Sequence, residues 1–179
     1  MKPTLLFTAG HDPFSGAIRQ ATWAPCSHSA IGLGDTLLHT TERGVVTDNR
    51  DEYFKTSPLV AEYEIIPDVA DRLPGIIALM GQKYDYGWVA GWLIKGALDV
   101  QFSPLAACVP LSRAGMTCAQ LVFQLDPRGE RIPEWRGLDV RDVTPAQLWR
   151  RTHGPSFRPV ARIPALLPSS ARTPGTLPP

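Results

Sequence analysis

His28, His39 and Cys118 are the residues of this chain whose types and order suit nucleophilic chemistry. A thiolate is a strong nucleophile, and an imidazole can take up and return a proton near neutral pH. The histidines bracket Ser27-His-Ser-Ala-Ile-Gly-Leu-Gly-Asp-Thr-Leu-Leu-His39, which alternates on either side of Gly34-Asp35, a pair suited to a tight hairpin turn. Both imidazoles are therefore expected on one β-ribbon. Thr117 and Gln120 form a capping-box pattern that places Cys118 at the first position of a helix. There the positive end of the helix dipole is expected to lower the thiol pKa and favour the thiolate.

The expected roles follow from that layout. Cys118 is the nucleophile, His28 the general base and acid, and His39 the group that orients His28, with Asp35 and Glu42 as neighbouring polar alternatives. The oxyanion would meet the backbone N–H of Cys118, and Tyr84 is a candidate side-chain donor that can equally be packing. Each residue also has a plainer reading. Cys118 can be a small buried hydrophobe and His28 a satisfied strand residue. Cys26, His28, His39 and Cys118 can also be read as four zinc ligands, although zinc sites in small domains more often use closely spaced cysteines. Neither metal nor cofactor is expected. Cys108, between Ala107 and Val109, reads as core or loop packing.

Composition narrows the classes. A chain of 179 residues with 44% hydrophobic content can bury one good core, so a single domain suffices. The 18 basic and 17 acidic residues leave a net charge of +1, which gives no electrostatic footprint for nucleic acid. The apolar run at Leu5-Leu6-Phe7 is too short for a signal-peptide core, and no apolar run suits a membrane span, so a cytoplasmic protein is expected, with export by another route left open. Three cysteines without disulfide-framework spacing are expected to be reduced.

The elements that must position these residues follow from periodicity. Strands are expected at Leu5 to Thr8, at the two histidine segments, at Val45 to Thr47 and at Leu59 to Ile66, with short helices over Phe14 to Ala21 and Arg50 to Phe54. Apolar spacing predicts an amphipathic helix from Asp68 to Gln82. Tyr84 to Leu98, with Trp88 and Trp92, reads as a buried helix or an apolar cover over a cleft, and residues 99 to 114 as a loop. Thr144-Pro145 starts a last short helix. From His153 onward, seven prolines and three arginines in 27 residues without an acidic residue predict a disordered or extended tail, which can be a plain terminus or dock on a protein partner. The expected division is a domain over 1–152 and a tail over 153–179.

These features together resemble the circularly permuted branch of the NlpC-type papain-like cysteine hydrolase superfamily, with its YiiX- and YaeF-like and lecithin:retinol acyltransferase-like members. The resemblance rests on His28 with Ala30-Ile31-Gly32-Leu33-Gly34-Asp35, on His39, and on Thr117-Cys118-Ala119-Gln120-Leu121-Val122. Gly44-Val45, Lys83-Tyr84-Asp85 and Thr144-Pro145-Ala146-Gln147-Leu148 add landmarks. It spans roughly residues 3 to 150. Ala119 departs from the acidic or polar residue of many relatives, and the Trp88 to Ala114 stretch has no counterpart. The resemblance implies an α+β fold with a small antiparallel sheet of about five strands packed against helices and the nucleophile at a helix N-terminus. It implies thiol acyl chemistry on a peptide or isopeptide amide such as those of cell-wall peptides. A lipid-acyl hydrolase or acyltransferase, with membrane-surface contact through Trp88 and Trp92, is the alternative. A non-catalytic protein of a phage or bacterial assembly is a further one.

Overall fold

Runs of apolar and β-branched residues, broken by Gly and Pro, build the strands β1 (Thr4–Thr8), β2 (His28–Leu33), β3 (Thr36–Thr41), β4 (Gly44–Asn49), β5 (Leu59–Ile65) and β6 (Phe157–Pro159). In this computed structural model, which describes residues 2–101 and 115–160, they form one antiparallel sheet in the order β4-β3-β2-β1-β5-β6. The helices are α1 (Pro13–Thr22), α2 (Arg50–Thr56), α3 (Leu73–Ile77), α4 (Tyr86–Gln101), α5 (Cys118–Phe123) and α6 (Pro145–Arg151). The class is α+β.

Side-chain alternation gives the sheet two different faces. Leu5, Phe7, Ile31, Leu38, Val45 and Ile65 point to one side, where Leu121, Val122 and Phe123 of α5 and Leu148 of α6 close the main core. Each fully buried Leu or Phe there contributes about 1.5–3 kcal/mol relative to exposure. Leu6, Ala30 and Leu37 point to the other side, under Tyr53 and Phe54 of α2. The β2–β3 connection is the two-residue turn expected, with Gly34 at a φ of 65° in its first central position, where a hairpin turn needs a residue free to adopt positive φ.

Three expectations are corrected. The sheet has six strands rather than about five, because β6 pairs Phe157 with Ile65 inside the segment read as tail. Phe157 is buried in the main core, and β6 is an edge strand, where the missing N–H of Pro159 leaves no interior ladder bond unmade. The ordered chain therefore continues past 152; residues 161–179 of the expected tail lie outside the described residues. The helix expected from Asp68 to Gln82 is confined to a 3-10 turn over Ala70–Arg72 and the short α3. Pro74 and Gly75 disfavour a longer helix, and Ile77 and Met80 are 45% and 47% exposed. Finally, α4 runs to Gln101, into the segment read as loop, while Cys108 and the rest of 102–114 lie outside the described residues.

Candidate active site

The hairpin delivers both imidazoles to one end of the sheet. His28 Nε2 lies 3.1 Å from His39 Nδ1, and His39 Nε2 lies 3.1 Å from Asp48 Oδ2 on β4. Arg43 donates to both oxygens of Asp48, at 2.9 and 3.0 Å. Against the rise that burial brings, the hydrogen bonds from Arg43 and His39 hold the Asp48 carboxyl below its ordinary pKa. An ionised Asp48 only accepts, so the proton of His39 sits on Nε2 and its Nδ1 accepts. His28 Nε2 is then the donor, and the lone pair of His28 falls on Nδ1. This tautomer assignment follows from the network. Burial pushes His28 down to about 4. Burial, then the neighbouring His28, push His39 to about 4 against the pull of Asp48. Both rings are neutral at neutral pH.

Cys118 opens α5 as the capping box requires: the Thr117 hydroxyl accepts from Gln120 N, and the Gln120 side chain accepts from Thr117 N. The expected low pKa is not found. The thiol is 3% exposed, and burial pushes it above its ordinary value. The Ser29 main chain and hydroxyl and the N–H groups of Ala119 and Cys118 pull the other way without reversing the rise. A helix of six residues offers a modest dipole, too little to offset desolvation. The resting pair is therefore a neutral thiol and a neutral imidazole.

α5 packs across β2, and the Cys118 sulfur faces Ser29, the chain neighbour of His28. Alternation sends the two β2 side chains to different sides: Ser29 with Ile31 towards α5, His28 with Ala30 towards α2. No hydrogen bond joins Cys118 to His28 among the described residues. Cys118 lines a narrow apolar pocket of about 20 Å³ with Ser27, Ile18, Trp88, Val89 and Trp92, whereas His28 lines a cleft of about 460 Å³. Tyr84 borders both, so its ring is the shared wall. Burial first, then the nearby Cys118, raise the Tyr84 phenol far above its ordinary pKa, so it stays an O–H donor.

The cover on the thiol is α4. Trp88 is 5% exposed and stacks on Trp92 with ring centroids 6.4 Å apart, and with Ile18 and Val89 they form a small cluster separate from the main core. Asp85, 4% exposed, holds this cover in place. One carboxylate oxygen accepts from Trp88 N at 2.7 Å and the other from Gly115 N at 3.3 Å, tying the start of α4 to the loop that enters α5. Gly115 has no room for a side chain, because a Cβ would fall inside contact distance of the Lys83 carbonyl.

The structure joins His28 to His39 but sets Cys118 beside Ser29 on the other side of β2, so the expected contact between the thiol and an imidazole is not formed, and Tyr84 lies between the two chambers. His39, rather than Asp35 or Glu42, is the group hydrogen-bonded to His28, and Asp48, which sequence reasoning does not single out, holds His39 in turn. Asp35 sits at the far tip of the β2–β3 hairpin, roughly 13 Å along the strand from His39, and Glu42 is exposed in the β3–β4 turn. His28 and His39 are hydrogen-bonded head to tail, and among the described residues no group of three or more His, Cys, Asp or Glu is arranged to hold a metal ion. Cys26 is fully buried and pushed up to about 12, chiefly by burial. No helix among the described residues is long and apolar enough to cross a membrane. No family model matches the chain, and no curated protein matches it.

Proposed function

We propose that the protein is a cysteine hydrolase working through a thiol acyl-enzyme, with a peptide or isopeptide amide as substrate and the permuted NlpC-type papain-like arrangement as its fold. The observation that carries this reading is the Asp48–His39–His28 chain, which leaves the Nδ1 lone pair of His28 free to act as a base at the strand end where Cys118 packs.

In this mechanism the Cys118 side chain and the His28 ring turn towards one another at the end of β2, beside Tyr84, so that the sulfur meets His28 Nδ1. The imidazole takes the thiol proton as sulfur attacks the carbonyl, and Asp48, through His39, stabilises the imidazolium. The Cys118 N–H and the Tyr84 hydroxyl meet the oxyanion. Collapse breaks the C–N bond, and His28 returns the proton to the departing nitrogen. Water, deprotonated by His28, then attacks the thioester, releasing the acid and the free thiol. Starting from a neutral pair, proton transfer accompanies attack rather than preceding it.

Two observations favour other readings. The apolar lining around Cys118 suits a lipid-acyl group, which keeps a lipid hydrolase or acyltransferase in view. The unjoined thiol and imidazole suit a non-catalytic binding protein. A broad thiol-directed acyl probe separates catalysis from binding. Labelling of Cys118 that is abolished by Cys118→Ala and strongly slowed by His28→Ala supports the hydrolase; labelling that survives both substitutions, or is absent from the wild type, overturns it.

A further inference from the structure

The narrow pocket beside Cys118 holds a polar group that the hydrolytic steps do not use. Thr22, Ser27, Thr117 and Thr144 bring aliphatic hydroxyls to its wall. Three of these are committed. Thr22 Oγ1 donates to the Ile18 carbonyl at 2.8 Å, Thr144 Oγ1 donates to Gln147 Oε1 at 3.3 Å, and Thr117 Oγ1 accepts from Gln120 N at 3.3 Å in the capping box of α5. Ser27 is the exception: the residue is 5% exposed, and its buried hydroxyl has no hydrogen-bond partner among the described residues. Its main-chain N–H donates to the Thr8 carbonyl at 3.0 Å, which fixes Ser27 at the entry to β2, immediately ahead of His28.

The size and lining of the pocket are a separate observation. Its volume of about 20 Å³ is little more than the ~10–15 Å³ that one water-sized group requires, and the wall around Ser27, with Trp88, Val89 and Trp92, is chiefly apolar. Such a space suits a single oxygen atom. In a closed apolar site solvent does not compete, so one donor acts strongly on charge that develops beside it. An O–H buried there without a partner carries a desolvation penalty, and an acceptor that arrives next to it, above all a negative one, relieves that penalty.

We propose that Ser27 is a further catalytic residue, its hydroxyl donating to the oxyanion of the tetrahedral intermediate together with the Cys118 N–H and Tyr84. The proposal rests on the hydrolase reading and adds a donor to it. As the S–C bond forms, the thiol proton passes to His28 and the carbonyl π pair moves onto oxygen, which turns into the pocket towards Ser27. The Ser27 O–H donates a hydrogen bond and keeps its proton. On collapse the pair returns to the carbonyl, the C–N bond breaks and His28 protonates the nitrogen, so Ser27 ends unchanged. Two chain neighbours at the entry to β2 thereby serve the sulfur from two chambers, Ser27 as donor on the thiol side and His28 as base on the other.

Two reagents that both consume the Cys118 thiol test this on the full chain: p-nitrophenyl acetate, whose acyl transfer passes through an oxyanion, and iodoacetamide, whose displacement does not. Mass spectrometry of the Cys118 peptide gives the rate of each. In Ser27→Ala the acylation rate is expected to fall about 100-fold while alkylation changes by less than about twofold, and Ser27→Thr, which keeps a hydroxyl, is expected to regain much of the acylation. A thermal melt of Ser27→Ala no lower than that of the wild type is expected, because the substitution removes a buried donor that had no partner. Acylation that survives Ser27→Ala, or a parallel fall in both rates, overturns the role of Ser27 and leaves the hydrolase standing. Alkylation of wild-type Cys118 with no acylation at all rejects the hydrolase reading itself.

Discussion

Asp48 reaches His28 only through His39, whose ring accepts from one neighbour and donates to the other. Because the carboxylate fixes which nitrogen of His28 keeps its lone pair, Asp48→Ala is expected to lower kcat/KM by about 10- to 100-fold. The acid limb of the pH profile should also move to lower pH, since the imidazolium loses its support. Asp48→Asn, which keeps an acceptor, should recover part of the rate. An unchanged acid limb in Asp48→Ala would remove the carboxylate from the relay.

Burial sets the resting state of the sulfur. Iodoacetamide alkylation of Cys118, followed site by site by mass spectrometry, should show its inflection above the ~8.5 of a free cysteine. Cys26 should resist alkylation until close to pH 12. A Cys118 inflection in the neutral range would mean that a thiolate–imidazolium pair is already formed at rest.

Acid should weaken the fold through the histidines. Both rings fall from an ordinary 6.5 to about 4 on folding, so the unfolded chain binds protons in that interval that the folded chain does not. Stability is complete above pH 6.5, falls as pH drops towards 4, and suffers no further loss from these rings below that. The upper bound is about 3 kcal/mol per imidazole. Urea denaturation across this range checks it, and the slope should shrink in His28→Gln.

Asp85 joins two segments with one carboxylate. Asp85→Ala removes the cap of α4 and the anchor of Gly115, and is expected to cost about 2 kcal/mol. Asp85→Asn, with one acceptor kept, should cost less. Gly115→Ala should be at least as damaging as Asp85→Ala, because its Cβ would press on the Lys83 carbonyl. Thermal melts rank the three; a Gly115→Ala protein as stable as wild type would contradict the packing described here.

Much of this was legible from local signals. The capping box at Thr117 and Gln120 located the start of α5, and alternation around Gly34-Asp35 located the hairpin. Asp48 escapes because the strand expected at Val45 to Thr47, which is β4, is one of those whose end composition alone does not place. The register pairs His39 with Val46 and Leu37 with Asp48, so Asp48 lies diagonally opposite His39 on the same face. Carrying that strand one residue further would have found it. The thiol pKa was misjudged because helix position is visible in sequence, whereas desolvation comes from Trp88 and its neighbours, brought in by tertiary packing. Proline content hid β6, since a composition rule does not register one Phe that fits a core.

The two bonds of Asp85 make access and alignment a single event. If α4 lifts to admit a substrate, the same carboxylate tugs on Gly115, three residues ahead of the sulfur. A guest large enough to prise up the Trp88 cover thereby also frees the nucleophile to turn, while one that leaves the cover seated meets a sulfur still locked against Ser29. Admission and arming would then share one latch.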